Sequence, residues 1–150
     1  MQSDIDDLFV GITMSIKFMT IIVCVDDNGG MLFNKRRQSR DKAVIADIIN
    51  SIGDNEVVCI TPYSALLFEE YQNRIKICES LDDDSSICFV EDADISHLKE
   101  KIDRIVLYKW NRVYPASVYF DIELDSWKRI SSDEFCGNSH DTITKEIYIR

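Results

Sequence analysis

The sequence predicts one α/β domain of three layers, in which a mainly parallel sheet has an antiparallel edge formed by the C-terminal third. Continuous runs of apolar, β-branched residues, such as 20–25 and 87–90, are typical of parallel strands that are covered on both faces. After residue 118, apolar and polar residues alternate instead, which is typical of half-exposed antiparallel strands. A chain of 150 residues is long enough to bury one such core.

Strands and helices alternate along most of the chain. Parallel strands are predicted at 20–25, 56–61, 74–78, 87–90 and 104–110, and antiparallel strands at 118–122, 127–131 and 144–149. The first helix is predicted over 40–51, with Ser39 as its N-cap and Asp41 in its first turn. Its buried face should comprise Val44, Ile45, Ile48 and Ile49. A second helix should begin at Pro62, and a short one should cover 94–101.

Composition limits the classes of protein to which the chain can belong. Its net charge of −10 makes it an acidic protein and opposes non-specific binding to nucleic acid or anionic membranes. Five cysteines without a C-x-x-C pair, and no apolar run of membrane-spanning length, predict a cytoplasmic location. We expect residues 19–150 to form the domain and residues 1–18 to be an extension outside its core, or alternatively a short docking helix.

A basic segment precedes the first helix of this acidic chain. It contains Asn34, Lys35, Arg36, Arg37, Gln38, Ser39 and Arg40. Four cations next to the free amides of a helix N-terminus favour an anion site for phosphate or carboxylate. The alternative is a solvated loop whose charges pair with neighbouring acids, and the sequence leaves both interpretations open.

A second polar segment follows the fifth predicted strand. Trp110, Asn111, Arg112 and Tyr114 together indicate a stacking and hydrogen-bonding surface for a base or another flat ring. Alternatively, Trp110 and Tyr114 close the edge of the core. Because both polar segments follow apolar strands, we expect them to meet at the carboxyl ends of the sheet.

Candidate catalytic residues are few. His140 lies beside Asp141, but residues adjacent in sequence seldom form a triad, and a turn is the simpler interpretation. Glu91 ends a buried strand and needs a partner, which the basic segment or Arg112 would provide. Asp41 is either a ligand-binding acid or an ordinary acid of the first helical turn.

Several of these residues resemble motifs of dihydrofolate reductase. The matching residues are Val25-Asp26, Gly29-Gly30-Met31, Asp41, Tyr119-Phe120-Asp121 and Trp127. The resemblance spans most of residues 19–150. It implies a dihydrofolate-reductase-like fold, with Asp41 in the position of the substrate-binding acid.

The chain departs from that family where the family binds its cofactor. Glu91 and Asp92 replace the Gly-Gly pair over which the cofactor pyrophosphate lies, and two acids there would repel it. Residues 61–64 replace the phosphate-binding Gly-Arg-x-Thr, and residues 34–37 replace a Pro-Trp pair. These differences disfavour NADPH, so no cofactor is predicted.

Other strings resemble a group of poorly characterised bacterial proteins, some of which carry a ribonuclease Z label. They are VDDNGGMLFNKRRQSRD, FVE, YKWNRVYP and EFCGNSHDTITKEIY. A two-zinc phosphodiesterase needs about five histidines, including an HxHxDH box. This sequence has only His97 and His140 and lacks that box, so we predict no metal site.

These observations favour a domain that binds a flat, anionic, nucleotide-like ligand without reductase activity. One alternative is a divergent NADPH-dependent reductase, and another is a nucleotide hydrolase using Asp41, Glu91 and His140. A third is a module that binds RNA or protein through the basic segment. Whether the chain is an enzyme stays open at this stage.

Overall fold

The computed structural model describes residues 19–81, 86–93 and 95–150. The interpretations of residues 1–18 as an extension or a docking helix lie outside these residues. The strands are β1 (Met19–Val25), β2 (Gly30–Phe33), β3 (Arg36–Arg37), β4 (Val58–Ile60), β5 (Ile75–Ile77), β6 (Ile87–Phe89), β7 (Ile102–Lys109), β8 (Val118–Tyr119), β9 (Lys128–Phe135) and β10 (Ile143–Ile149). Helix α1 covers Lys42–Ser51, and 3₁₀ segments cover Pro62–Arg74 and Ser96–Lys101.

Seven of the described strands form one sheet in the order β5-β4-β6-β1-β7-β10-β9. The first five are parallel, and Ile22 of the central strand β1 lies between Phe89 of β6 and Val106 of β7. Strands β10 and β9 are antiparallel to their neighbours. The predicted mainly parallel sheet with an antiparallel C-terminal edge is therefore confirmed.

Buried side chains pack on both faces of this sheet. On one face, α1 packs against β1, β4 and β7 through the four apolar residues predicted from its period, Val44, Ile45, Ile48 and Ile49. On the opposite face, Ile21, Val23 and Ile105 pack with Leu98 of the second 3₁₀ segment. Each of these large side chains stabilises the fold by about 1.5–3 kcal/mol on burial. The observed packing therefore agrees with the predicted three-layer α/β architecture.

The N-cap predicted for the first helix was wrong. Helix α1 has Asp41 rather than Ser39 as its N-cap, because Asp41 is extended (φ −147°) and accepts a hydrogen bond from the Ala43 amide. The helices predicted from Pro62 and over 94–101 are present as 3₁₀ segments. Phe68 and Tyr71 have non-helical backbone angles, so the first of these segments is kinked.

The basic segment forms part of a β-hairpin, whereas the sequence predicted a loop. Strands β2 and β3 pair antiparallel through a two-residue turn in which Asn34 (φ 48°) and Lys35 (φ 64°) are left-handed. This geometry suits the right-handed twist of a tight hairpin, and asparagine adopts it readily. The predicted strand 118–122 contributes only Val118–Tyr119, which pairs with β2 in a separate small sheet of order β3-β2-β8.

None of the described helical segments combines the length and the apolar character that crossing a bilayer requires.

Candidate functional site

The two polar segments meet at the carboxyl ends of the parallel strands, and Asp26 joins them. Its Oδ2 accepts hydrogen bonds from the Tyr114 amide (3.0 Å) and from Gln38 Nε2 (3.3 Å). Its Oδ1 accepts from the Gly30 amide at 2.7 Å. Burial alone would raise the pKa of Asp26, but these hydrogen bonds from Tyr114 and Gly30 outweigh it and lower that pKa. Sequence reasoning used Asp26 only as part of a motif and missed this role.

An open cavity of about 420 Å³ lies between the hairpin and the segment that follows β7. We call it the outer cavity; its lining includes Phe33, Asn34, Arg36, Arg37, Gln38, Tyr114 and Pro115. Gln38 Nε2 also donates to the Pro115 carbonyl (3.4 Å) and so joins the two walls. Phe33 is 41% exposed, and Arg36 is exposed. The sequence analysis did not select Phe33, although its position beside the basic residues was a usable signal.

Arg37 pairs with Glu91 at the end of β6. Its Nε and Nη2 each lie 2.9 Å from one carboxylate oxygen. Ser64 Oγ donates to the same carboxylate at 2.7 Å, and the Arg37 guanidinium lies 4.7 Å from the centre of the Tyr63 ring. The expected partner of Glu91 is therefore Arg37 rather than Arg112. These contacts hold the hairpin against the rim of the large sheet.

A second, inner crevice beneath the hairpin is small. Its volume is about 20 Å³, and its lining includes Cys24, Met31, Asp41, Leu67, Phe89 and Trp110. A single water requires roughly 10–15 Å³ measured in this way, so a flat ring does not fit. The Arg37–Glu91 pair also borders this crevice.

Asp41, His140 and Tyr114 form a hydrogen-bonded chain beside the inner crevice. Asp41 Oδ2 lies 3.3 Å from His140 Nδ1, and the Tyr114 hydroxyl lies 2.8 Å from His140 Nε2. The His140 side chain is 2% exposed, and its ring is stacked on the Trp110 indole with centroids 4.6 Å apart. The acid that contacts His140 is therefore Asp41, while the sequence neighbour Asp141 is exposed.

Asp41 has both carboxylate oxygens occupied by internal donors. Oδ1 accepts from the amides of Ala43 (2.9 Å) and Asn138 (2.7 Å), and Oδ2 accepts from the amide of Ser139 (2.8 Å). Burial would raise the pKa of Asp41, but the three amides and His140 lower it to about 2. Asp41 is thus ionised, and it ties the start of α1 to the connection between β9 and β10.

The remaining predicted site residues are spread along the rim. Trp110 is buried and lines the inner crevice, so it does not present a free stacking face to the outer cavity. Asn111 Nδ2 donates to the Thr142 carbonyl and to Thr144 Oγ1, away from the hairpin. Lys35, Arg40 and Arg112 are exposed.

Residues 19–81, 86–93 and 95–150 contain no cluster of three histidine, cysteine, aspartate or glutamate side chains that could hold a metal ion. His97 is exposed on the second 3₁₀ segment.

The chain has a dihydrofolate-reductase-like fold, which confirms the resemblance seen in the sequence. The dihydrofolate reductase from Enterococcus faecalis, complexed with NADP(H) and RAB-propyl, is similar to it with a TM-score of 0.65. That similarity covers 89% of this chain and 96% of the reductase, at 7% sequence identity, and at this identity it establishes the fold alone. No protein-family model matches the sequence. No curated protein matches it either.

Proposed function

We propose that this chain is a binding domain for a flat, anionic, nucleotide-like ligand, which it holds in the outer cavity. The observation that carries this proposal is that an exposed arginine, Arg36, and an exposed aromatic ring, Phe33, line the same cavity of about 420 Å³. That volume lies within the usual range for small-molecule sites, roughly 300–1,000 Å³. Opposite them, Tyr114 and Pro115 form the other wall.

The charges favour an anion in this cavity. Arg37 is held by Glu91, so Arg36 is the arginine of the lining that can turn its guanidinium to a phosphate. A guanidinium binds two phosphate oxygens at once, which makes the contact directional as well as attractive. The net charge of −10 works against binding of polyanions elsewhere on the surface.

The Phe33 ring supports a ligand that carries a flat ring. It is 41% exposed and lines the same cavity as Arg36. Stacking of a base on an aromatic side chain contributes roughly 1–3 kcal/mol, so this wall suits a nucleobase better than a simple inorganic anion.

The absence of reductase activity is part of the proposal. Hydride transfer needs two flat rings side by side, and the inner crevice of about 20 Å³ holds neither. Two acids, Glu91 and Asp92, follow β6 at the position where the resembled family places its glycine pair over the cofactor pyrophosphate. The reductase similar in fold is complexed with NADP(H), but that property belongs to that protein.

Calorimetric titration with ADP, compared with inorganic phosphate, tests the proposal directly. We expect ADP to bind, and Arg36→Ala to weaken its binding by about tenfold or more, because one charge-assisted contact is lost. Arg104→Ala is the matched control, since it removes an exposed arginine from the start of β7 and leaves the outer cavity intact. Equal affinity in the two variants would reject the proposal.

Two further titrations decide between the alternatives. NADPH that binds more tightly than ADP and independently of Arg36 would favour a divergent reductase. An eight-nucleotide RNA that binds more tightly than ADP, with affinity falling steeply as salt rises, would favour a nucleic-acid module instead. Under the present proposal, the binding of ADP depends on Arg36, and the longer RNA binds no more tightly than ADP.

A further inference from the structure

We infer that Tyr114 is a reactive tyrosine, activated by His140 and Asp41, which attacks a phosphoryl group of the ligand in the outer cavity. The inference rests on the proposed function for the identity of that ligand. Three different parts of the chain supply the residues: Asp41 caps α1, Tyr114 follows β7, and His140 precedes β10. A nucleophile, a base and an orienting acid converge in this way in triads.

The hydrogen bonds determine the direction in which a proton would move. An ionised Asp41 can only accept, so the facing Nδ1 of His140 carries the hydrogen. The proposed transfer takes the His140 ring in its neutral form. Nε2 of the same ring is then an acceptor and receives the hydroxyl hydrogen of Tyr114 over 2.8 Å. If Tyr114 loses that proton, the resulting imidazolium lies beside the Asp41 carboxylate, which stabilises it.

Packing fixes the orientation of these hydrogen-bonded side chains. The Trp110 indole covers one face of the His140 ring at an interplanar angle of 22°, and the Tyr114 ring meets its edge at 80°. Ser139 Oγ lies 3.1 Å from Nδ1 and 3.2 Å from Asp41 Oδ2, so it braces the pair. Groups fixed before reaction avoid the cost of reorganisation during it.

The step that follows from this arrangement conserves atoms and charge. The Tyr114 oxygen bonds to phosphorus, its proton passes to His140 Nε2, and the bond from phosphorus to the leaving oxygen breaks. His140 then gives the proton to that oxygen. A water molecule later attacks phosphorus and the tyrosine–phosphorus bond breaks; His140 accepts the proton of that water and returns it to the Tyr114 oxygen. Arg36 offsets the charge on the phosphoryl oxygens.

Labelling with benzenesulfonyl fluoride measures the reactivity of the tyrosine without needing any ligand. The reagent forms a bond between sulfur and the phenolic oxygen and releases fluoride. Tyr119 is the internal control, because it is 52% exposed and its hydroxyl donates only to the Ala116 carbonyl among the contacts described. We expect peptide mass spectrometry to show Tyr114 labelled at least about tenfold faster than Tyr119. Equal or slower labelling of Tyr114 overturns the inference.

Variants then test the role of His140 as the base and the role of Asp41 as the residue that positions it. His140→Gln should lower the rate at Tyr114 by at least about tenfold and leave the rate at Tyr119 unchanged. Nitrogen-15 NMR should find the hydrogen of His140 on Nδ1 in the unmodified protein and redistributed in Asp41→Asn, a signature that a purely structural contact does not require. A hydrogen on Nε2 in the unmodified protein contradicts the proposed direction of transfer.

The phosphoryl step has its own measurement. Thymidine 5′-(p-nitrophenyl) phosphate should release nitrophenolate, and Tyr114→Phe should abolish the release. If ADP does not bind but Tyr114 is labelled rapidly, the proposed function fails and the reactive tyrosine stands. If ADP binds and Tyr114 is no more reactive than Tyr119, only the present inference fails. Rapid labelling without nitrophenolate release rejects the phosphoryl step alone.

Discussion

Arg37 and Glu91 form a two-point pair, with Nε 2.9 Å from Oε2 and Nη2 2.9 Å from Oε1. Their side chains are only 16% and 10% exposed. The pair joins the hairpin of the small sheet to the end of β6 in the large one. Two adjacent arginines therefore have different roles, since Arg37 fastens the hairpin and Arg36 faces solvent.

Removal of Arg37 should destabilise the fold. Arg37→Ala leaves the Glu91 carboxylate buried with Ser64 as its remaining side-chain donor, and breaking a pair of this kind costs about 2–4 kcal/mol. Urea unfolding should show this loss, whereas Arg36→Ala should change the free energy of unfolding by less than about 0.5 kcal/mol. The double variant Arg37→Met/Glu91→Leu should recover more than half of the loss. An equal loss of unfolding free energy in Arg37→Ala and Arg36→Ala would contradict this account.

The loss of folding stability at low pH should depend strongly on Asp41. Its pKa is about 2 in the folded chain and near 3.8 without the fold, so the unfolded chain takes up the proton first as pH falls. The carboxylate therefore contributes about 2 kcal/mol, which is fully present above about pH 5 and is lost progressively as pH falls through 3.8 to about 2. Unfolding free energies measured from pH 5 to pH 2 in the unmodified protein and in Asp41→Asn should converge toward low pH.

Asp125→Asn is the matched control for that experiment, because Asp125 is exposed. In this variant, the slope of the free energy of unfolding against pH should be nearly equal to that of the unmodified protein. A slope in Asp41→Asn that equals the slope in Asp125→Asn would show that the amides around Asp41 do not stabilise its charge.

Reductase chemistry can be tested by absorbance. With NADPH and dihydrofolate as substrates, we expect no loss of absorbance at 340 nm above the rate without protein, because the inner crevice of about 20 Å³ admits neither ring. Oxidation of NADPH that disappears in Asp41→Asn would show that the crevice opens in solution and that Asp41 acts on the substrate. Oxidation that persists in this variant would point to a contaminant.

The large sheet was predictable because its signals are local. Long apolar runs mark β1 and β7, and a clear helical period marks α1. The partners at the site were not predictable, because they depend on which distant segments meet. Asp41 and His140 were both selected, but they lie 99 residues apart, and the sequence offered Asp141 as the nearer acid. Likewise, the sequence left open whether Trp110 is a free stacking ring or closes the edge of the core, and its burial against His140 agrees with the second interpretation.

Gly137 should be essential for the contact between Asp41 and His140. A β-carbon at this position would lie 2.6 Å from Asp41 Oδ2 and 2.6 Å from the His140 carbonyl oxygen. Asp41 Oδ2 cannot move away without weakening its hydrogen bonds to the Ser139 amide and to His140 Nδ1. We expect Gly137→Ala to lower the free energy of unfolding by about 1–3 kcal/mol and to slow sulfonyl fluoride labelling of Tyr114. Gly53→Ala is the control, because its β-carbon would meet only the flexible Glu56 side chain and should leave labelling unchanged. Unchanged labelling in Gly137→Ala, in a variant that shows the expected loss of stability, would mean that Tyr114 reacts without help from Asp41 and His140.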